Sequence, residues 1–168
     1  MSFTYSYPMQ SVTADAVLFC GNEVLLIERN KPTDPFKGKL ALPGGHLDET
    51  DENTRHTARR ELEEETGINF EGENFFNLVV QKQLGTYSDK DRDPRGRYVT
   101  VAYLYVLIKK PELNVDTREV RIAKWVDYFQ LKEEDLAFDH YKIITDAHVV
   151  MTKYLIPKPC SRLDGRND

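Results

Sequence analysis

The sequence predicts a single α/β domain, and three observations predict it. Apolar residues alternate along several β-rich runs, one short helix carries a dense block of glutamates, and helical spacing returns near the C-terminus. A length of 168 residues, with 40% hydrophobic and 11% aromatic content, fits one domain that fills its own core. The core is expected over about residues 10–155 of 1–168, followed by a fraying tail, "IPKPCSRLDGRND".

Each element can be justified in order. "VTADAVLFC" and "EVLLIER" read as strands joined by Gly21-Asn22, a two-residue hairpin turn. The polar stretch "NKPTDPFKGK" breaks the pattern before "LALPGGHLDET", whose paired glycines and acids describe a loop entering a helix. That helix is expected from Glu52 to Thr66, capped by Thr50 or Asp51, with Ala58 and Leu62 facing inward and Gly67 as its left-handed stop. "FFNLVVQKQLGTY" follows, then the charged loop "SDKDRDPRGR", then "YVTVAYLYVLI", long enough for a central strand. "EVRIAKWVDYF" gives one more strand. Ile143, Ile144, Ala147, Val150 and Met151 mark a closing helix over Asp139–Tyr154.

A net charge of −5 and a pI near 5.4 argue against a general nucleic-acid or membrane-surface binder, which needs a basic face. Cys20 and Cys160 stand far apart with no second pair, so neither a disulfide framework nor a zinc site is expected. With no signal segment and no long apolar run, the expectation is a soluble, cytoplasmic protein.

The glutamates of "ARRELEEETGI" raise the functional question. On a helix, Glu61, Glu64 and Glu65 fall within one arc at i, i+3 and i+4, while Glu63 points elsewhere. Like charges at that spacing destabilise an isolated helix, so a positive partner should meet them. Hard carboxylate oxygens suit Mg²⁺ or Mn²⁺ and, through the metal, phosphate. A solvated acidic face is the bland alternative; the preceding Gly-Gly loop and Arg60, placed to pair with an upstream acid such as Glu52, favour the metal.

"GGHLDETDENTRHTARRELEEETGI" resembles the Nudix box. From Glu52 through seven residues to Arg60, Glu61, Leu62, Glu64, Glu65, Gly67 and Ile68 the match is complete, whereas six residues separate Gly45 from Glu52 where the pattern has five. The resemblance implies an α/β/α sandwich with a central mixed β-sheet, and a Mg²⁺-dependent hydrolysis of a nucleoside diphosphate linked to another moiety. It implies Gly45, Glu61, Glu64 and Glu65 as metal ligands, with Arg60 and Glu52 supporting them.

"PFKGKLALPGG", "RDPRGRYVTVAYL" and "LAFDHYKII" are similar to the ADP-ribose pyrophosphatase branch, which implies ADP-ribose as substrate. Arg92, Arg95 and Arg97 sit in a loop stiffened by Pro94, where they either hold phosphate or offset Asp89, Asp91 and Asp93. Phe138 is an adenine-stacking candidate or a core residue, Phe36 shares that ambiguity, His140 either donates to substrate or starts the last helix, and Arg29 is a further phosphate-contact candidate or an ordinary exposed basic residue. The general base is open among Glu64, Asp91 and Asp93. Two alternatives accompany this reading: a hydrolase of oxidised or non-standard nucleoside triphosphates, and an ADP-ribose-sensing regulator. The stretch after Tyr154 looks too short for a DNA-reading domain. A homodimer, common in the family, is compatible with the sequence.

Overall fold

Strand β1, Ser11–Cys20, organises the sheet because it is apolar on both faces. The computed structural model describes residues 4, 6–70, 77–115 and 120–155. In chain order the further elements are β2 (Glu23–Arg29), β3 (Leu40–Ala41), β4 (Gly44–His46), α1 (Thr54–Thr66), β5 (Leu78–Tyr87), β6 (Tyr98–Leu107), β7 (Val120–Asp127) and α2 (His140–Leu155). The seven strands run β3-β2-β1-β6-β5, with β4 added on β1 and β7 on β2. β1 and β6 are parallel from Ser11 beside Tyr98 to Cys20 beside Leu107, and the other pairings are antiparallel, so the sheet is mixed.

Alternation along the two central strands separates two cores. Val17, Phe19, Leu104 and Val106 face α2, where they meet Ile143, Ile144, Ala147 and Met151. Ala14, Ala16, Leu18, Tyr103, Tyr105 and Leu107 face α1 and bury Ala58 and Leu62. The expected sandwich of one helix on each face of a central sheet is what the chain forms. Among the described residues no helix is long and apolar enough to cross a membrane.

β1 divides its free edge between two partners. Its end, Phe19 and Cys20, pairs with β2 across the expected hairpin, while Thr13, Ala14 and Asp15 pair with His46, Gly45 and Gly44 of β4. The glycine loop is thus a strand stitched to the sheet, with Ala16 N–H also donating to the Pro43 carbonyl at 2.8 Å.

The start of α1 differs from expectation. Thr50 and Asp51 do not cap it: the Asn53 side chain accepts from the Arg55 and His56 amides, and Glu52 lies before the helix. Asp48 holds Thr50 and Asp51 in a separate turn, which removes both from the cap position. Gly67, at φ 74, ends the helix as expected, its N–H donating to the Glu63 carbonyl. The last helix begins one residue later than expected, since the Asp139 carboxylate is engaged elsewhere. Phe75, Phe76, Glu119 and the tail lie outside the described residues. Replacing Asn53 by Ala should cost about 1 kcal/mol through the two lost capping bonds, measurable by urea unfolding.

Candidate active site

Local backbone geometry brings the glycine loop against α1. A Cβ on Gly44 would collide with Asp15 and the Ala14 carbonyl, and one on Gly45 would collide with the Glu61 carboxylate. At Gly44, where the obstructing atoms include the backbone of β1, only glycine permits that approach. Arg60 fastens the same junction: Nε and Nη2 donate to the two oxygens of Asp51 at 3.0 and 2.9 Å, and Nη2 also donates to the His46 carbonyl at 3.1 Å. The acid that pairs with Arg60 is therefore Asp51, not Glu52. The turn held by Asp48 points the solvent-shielded Asp51 carboxylate at Arg60, and the hydrogen bonds from Arg60 hold its pKa well below the carboxylate range. Glu52 contributes its backbone N–H to the His56 ring instead.

The three glutamates do not gather equally. Glu61 turns toward Gly45 and accepts from Arg60 Nη1 at 2.9 Å. Glu65 accepts from the Gly44 N–H at 3.0 Å, and both side chains line a cavity of about 360 Å³. Glu64 does not border the cavity; its side chain is 57% exposed and tied to Arg60 at 3.1 Å. Among the described residues no three His, Cys, Asp or Glu side chains form a ready-made metal cluster. The donor set nonetheless fits a hard divalent cation: the Glu61 carboxylate against Gly45 and the Glu65 carboxylate on the Gly44 N–H line one cavity, and burial, aided by the Glu61 charge, raises the Glu65 pKa well above its ordinary value against the pull of the Gly44 N–H.

Cationic groups line the opposite wall. Arg29 donates through Nε to Asp34 at 2.7 Å and also through Nη2; Arg95 donates through Nε and Nη2 to Asp93 at 2.9 and 2.6 Å. Both guanidinium carbons lie over the Phe138 ring, at 4.9 and 5.2 Å from its centroid. Phe36 packs behind, 4.6 Å centroid to centroid. Arg92 borders the same cavity and forks onto Asp139, at 3.0 and 2.6 Å, with its side chain 4% exposed. His140 does begin α2 and borders the cavity, but its Nδ1 accepts from the Leu42 N–H at 2.9 Å and burial keeps it neutral.

The chain matches the NUDIX domain over residues 9–147. It belongs to the Nudix family. It is 36% identical to the ADP-ribose pyrophosphatase of Methanocaldococcus jannaschii over 146 residues, covering 84% of this chain and 74% of that protein. It is 34% identical to the ADPR responsive transcriptional repressor NtrR of Acinetobacter baylyi, covering 84% of this chain but 54% of the repressor, so it spans about half of that relative's length. Among solved structures, the NUDIX domain of Shewanella oneidensis NrtR complexed with ADP ribose superposes with a TM-score of 0.73 at 32% identity, covering 87% of this chain and 91% of that one.

Within this Nudix site, the three general-base candidates are placed differently, and Asp93 alone of them borders the cavity. Glu64 is exposed and engaged by Arg60; Asp93 caps the Arg95 turn, its N–H bond measuring 2.9 Å, and pairs with the same arginine; Asp91 is exposed and does not border the cavity. Arg97 is likewise exposed outside it.

The group that sequence reasoning missed is Asp15. It is 6% exposed, accepts from Thr100 Oγ1 at 2.7 Å, and its Oδ2 lies 4.0 Å from His140 Nε2. Burial pushes its pKa up to about 6, with the Thr100 bond opposing. In "TADAV" it occupies an alternating polar slot that looks solvent-facing, and only the return of β4 and α2 covers it.

The folded-state pKa of Asp15 exceeds that of the unfolded chain, so its carboxyl favours folding when protonated and opposes it once ionised. Stability should therefore fall as pH rises from about 4 to 6, by up to ~3 kcal/mol from this residue. Denaturant unfolding in a chelator-containing buffer checks this. The decline should flatten in Asp15→Asn, and an equally steep decline in that variant would refute the assignment.

Proposed function

We propose that the protein hydrolyses the pyrophosphate bond of ADP-ribose, with water as the second substrate, to give AMP and ribose 5-phosphate, using Mg²⁺ or Mn²⁺. One observation carries the reading: carboxylates of the Nudix helix and the arginine pair Arg29 and Arg95 line the same cavity. A pyrophosphate between them meets metal-binding oxygens on one side and guanidinium donors on the other. The family membership and the relative named for ADP-ribose hydrolysis support the same substrate class.

Glu61 and Glu65 would hold the cation, with Glu64 beside them on the helix and Gly45 offering its backbone. When bound, the cation supplies charge neutralisation at the pyrophosphate and Lewis acidity toward its oxygens. Arg60, fixed by Asp51, orients Glu61 and keeps the glycine loop against the helix. Arg29 and Arg95 orient the phosphates, and Arg92 with Asp139 ties the arginine loop to α2. Phe36 contributes by backing Phe138 and does not border the cavity.

A second reading has its own support: the repressor relative responds to ADPR, and an NrtR NUDIX domain was solved with ADP ribose. On that reading the same cavity binds ADP-ribose and does not turn it over.

Product analysis with Mg²⁺ across ADP-ribose, ADP-glucose, NADH, diadenosine polyphosphates and 8-oxo-dGTP separates these readings. Preferential release of AMP from ADP-ribose, abolished by EDTA, is the expected outcome. Tight binding of ADP-ribose with no product supports the sensor, and preference for the triphosphate supports the nucleotide-cleaning alternative.

Glu65→Gln should lower kcat by roughly 100-fold or more with the fold retained, since it removes a charge acting in the transition state. Arg95→Ala should raise KM for ADP-ribose about tenfold with a smaller change in kcat, in line with the loss of a charged hydrogen bond. Steady-state kinetics reads both, and wild-type turnover in the glutamine variant would sink the metal assignment.

A further inference from the structure

Phe138 is the one non-glycine residue with positive φ among those described, at 54°. A side chain there is sterically disfavoured and persists where its surroundings fix it. The surroundings are unusually full. The ring meets Phe36 at 4.6 Å and His140 at 5.1 Å between centroids, and carries the guanidinium carbons of Arg29 and Arg95 at 4.9 and 5.2 Å. The ring borders the cavity half-buried, and the face it turns there is shared with two guanidinium groups.

The two arginines are alike in a second respect. Each turns its Nε and Nη2 edge onto its own aspartate, Asp34 or Asp93, and neither Nη1 makes a hydrogen bond among the described residues. Each guanidinium is thus braced by a carboxylate along one edge and by the shared ring against its plane, leaving the Nη1 corner for a ligand. Cations favour the electron-rich face of an aromatic ring, so one ring can set the spacing of two of them.

We propose that Phe138 is a positioning residue, the common platform that holds Arg29 and Arg95 as a two-armed clamp for the phosphates of the substrate, and not a stacking partner for its base. This rests on the reading of the cavity as a phosphate site. It deepens that reading by assigning the clamp's geometry to a residue that need not touch the substrate.

The test uses inorganic pyrophosphate, which has no base, titrated calorimetrically into the full chain in EDTA at low ionic strength. Phe138→Leu, close in bulk but without a ring face, should weaken binding about tenfold, and Phe138→Tyr should restore most of it. In an Arg29→Ala/Arg95→Ala background the leucine substitution should have no further effect, as expected for a residue acting through the arginines. Unchanged pyrophosphate affinity in the leucine variant, or a loss confined to AMP, would overturn the proposal in favour of base stacking. Failure of the wild-type chain to bind pyrophosphate would overturn it as well.

If the leucine variant does not fold, the wild-type protein still decides. Nuclear Overhauser contacts from the Phe138 ring protons to the side chains of both arginines support the platform, and their absence removes it. A protein that hydrolyses nothing in the substrate panel yet shows the pyrophosphate pattern would lose the enzymatic reading and keep the clamp; the reverse pattern would do the opposite.

Discussion

The site depends on one close approach of backbone to helix. Gly44 and Gly45 form a short strand wedged between β1 on one side and Glu61 on the other, where a side chain on Gly44 would run into the β1 backbone and one on Gly45 would displace the Glu61 carboxylate. That wedge aligns the Gly44 N–H with Glu65, turns Gly45 toward Glu61, and leaves Asp15 covered on the neighbouring strand. The sheet makes room for it by letting β1 exchange partners midway along its length. A carboxylate-lined surface built this way is positioned by the hydrogen-bond ladder of the sheet, which is stiffer than a free loop.

The chemistry of the cavity is arranged by opposition. Acidic groups on β1 and α1 are buried at the cavity, and that burial raises the pKa values of both Asp15 and Glu65. The basic wall is arranged differently, since each arginine is already neutralised by a neighbouring aspartate. One wall therefore gains from receiving a cation, while the other offers directed donors without a large excess of positive charge. Such a division suits a ligand that arrives as an anion accompanied by a metal.

Much of this was legible in the chain. The hairpin at Gly21-Asn22, the helix ending at Gly67 and the long strand Tyr98–Leu107 follow from local pattern, and the structure has them where the pattern puts them, whereas of the three glutamates in one arc only Glu61 and Glu65 reach the cavity. What the chain hid were partnerships between distant segments. Asp15 looks like an ordinary polar slot until Thr100 and His140 close over it, and Arg92 looks like a loop arginine until Asp139, 47 residues away, takes it. The acid that reaches Arg60 was hidden for another reason: two neighbouring acids were both near the expected spacing, and the choice between them was made by a turn at Asp48 that spacing alone does not encode.

That turn has a consequence for how such chains are found and compared. Here the task of anchoring Arg60 falls to Asp51 and the task of starting the helix to Asn53, two residues apart and on opposite sides of Glu52. Because the tasks are separate, the loop between the glycines and the helix can gain or lose a residue without rotating the glutamates out of line. A pattern that prescribes a fixed interval will misalign the anchor in such chains. Keyed to the arginine's bonding partner, the anchor of this chain falls on Asp51 whatever interval separates it from Gly45.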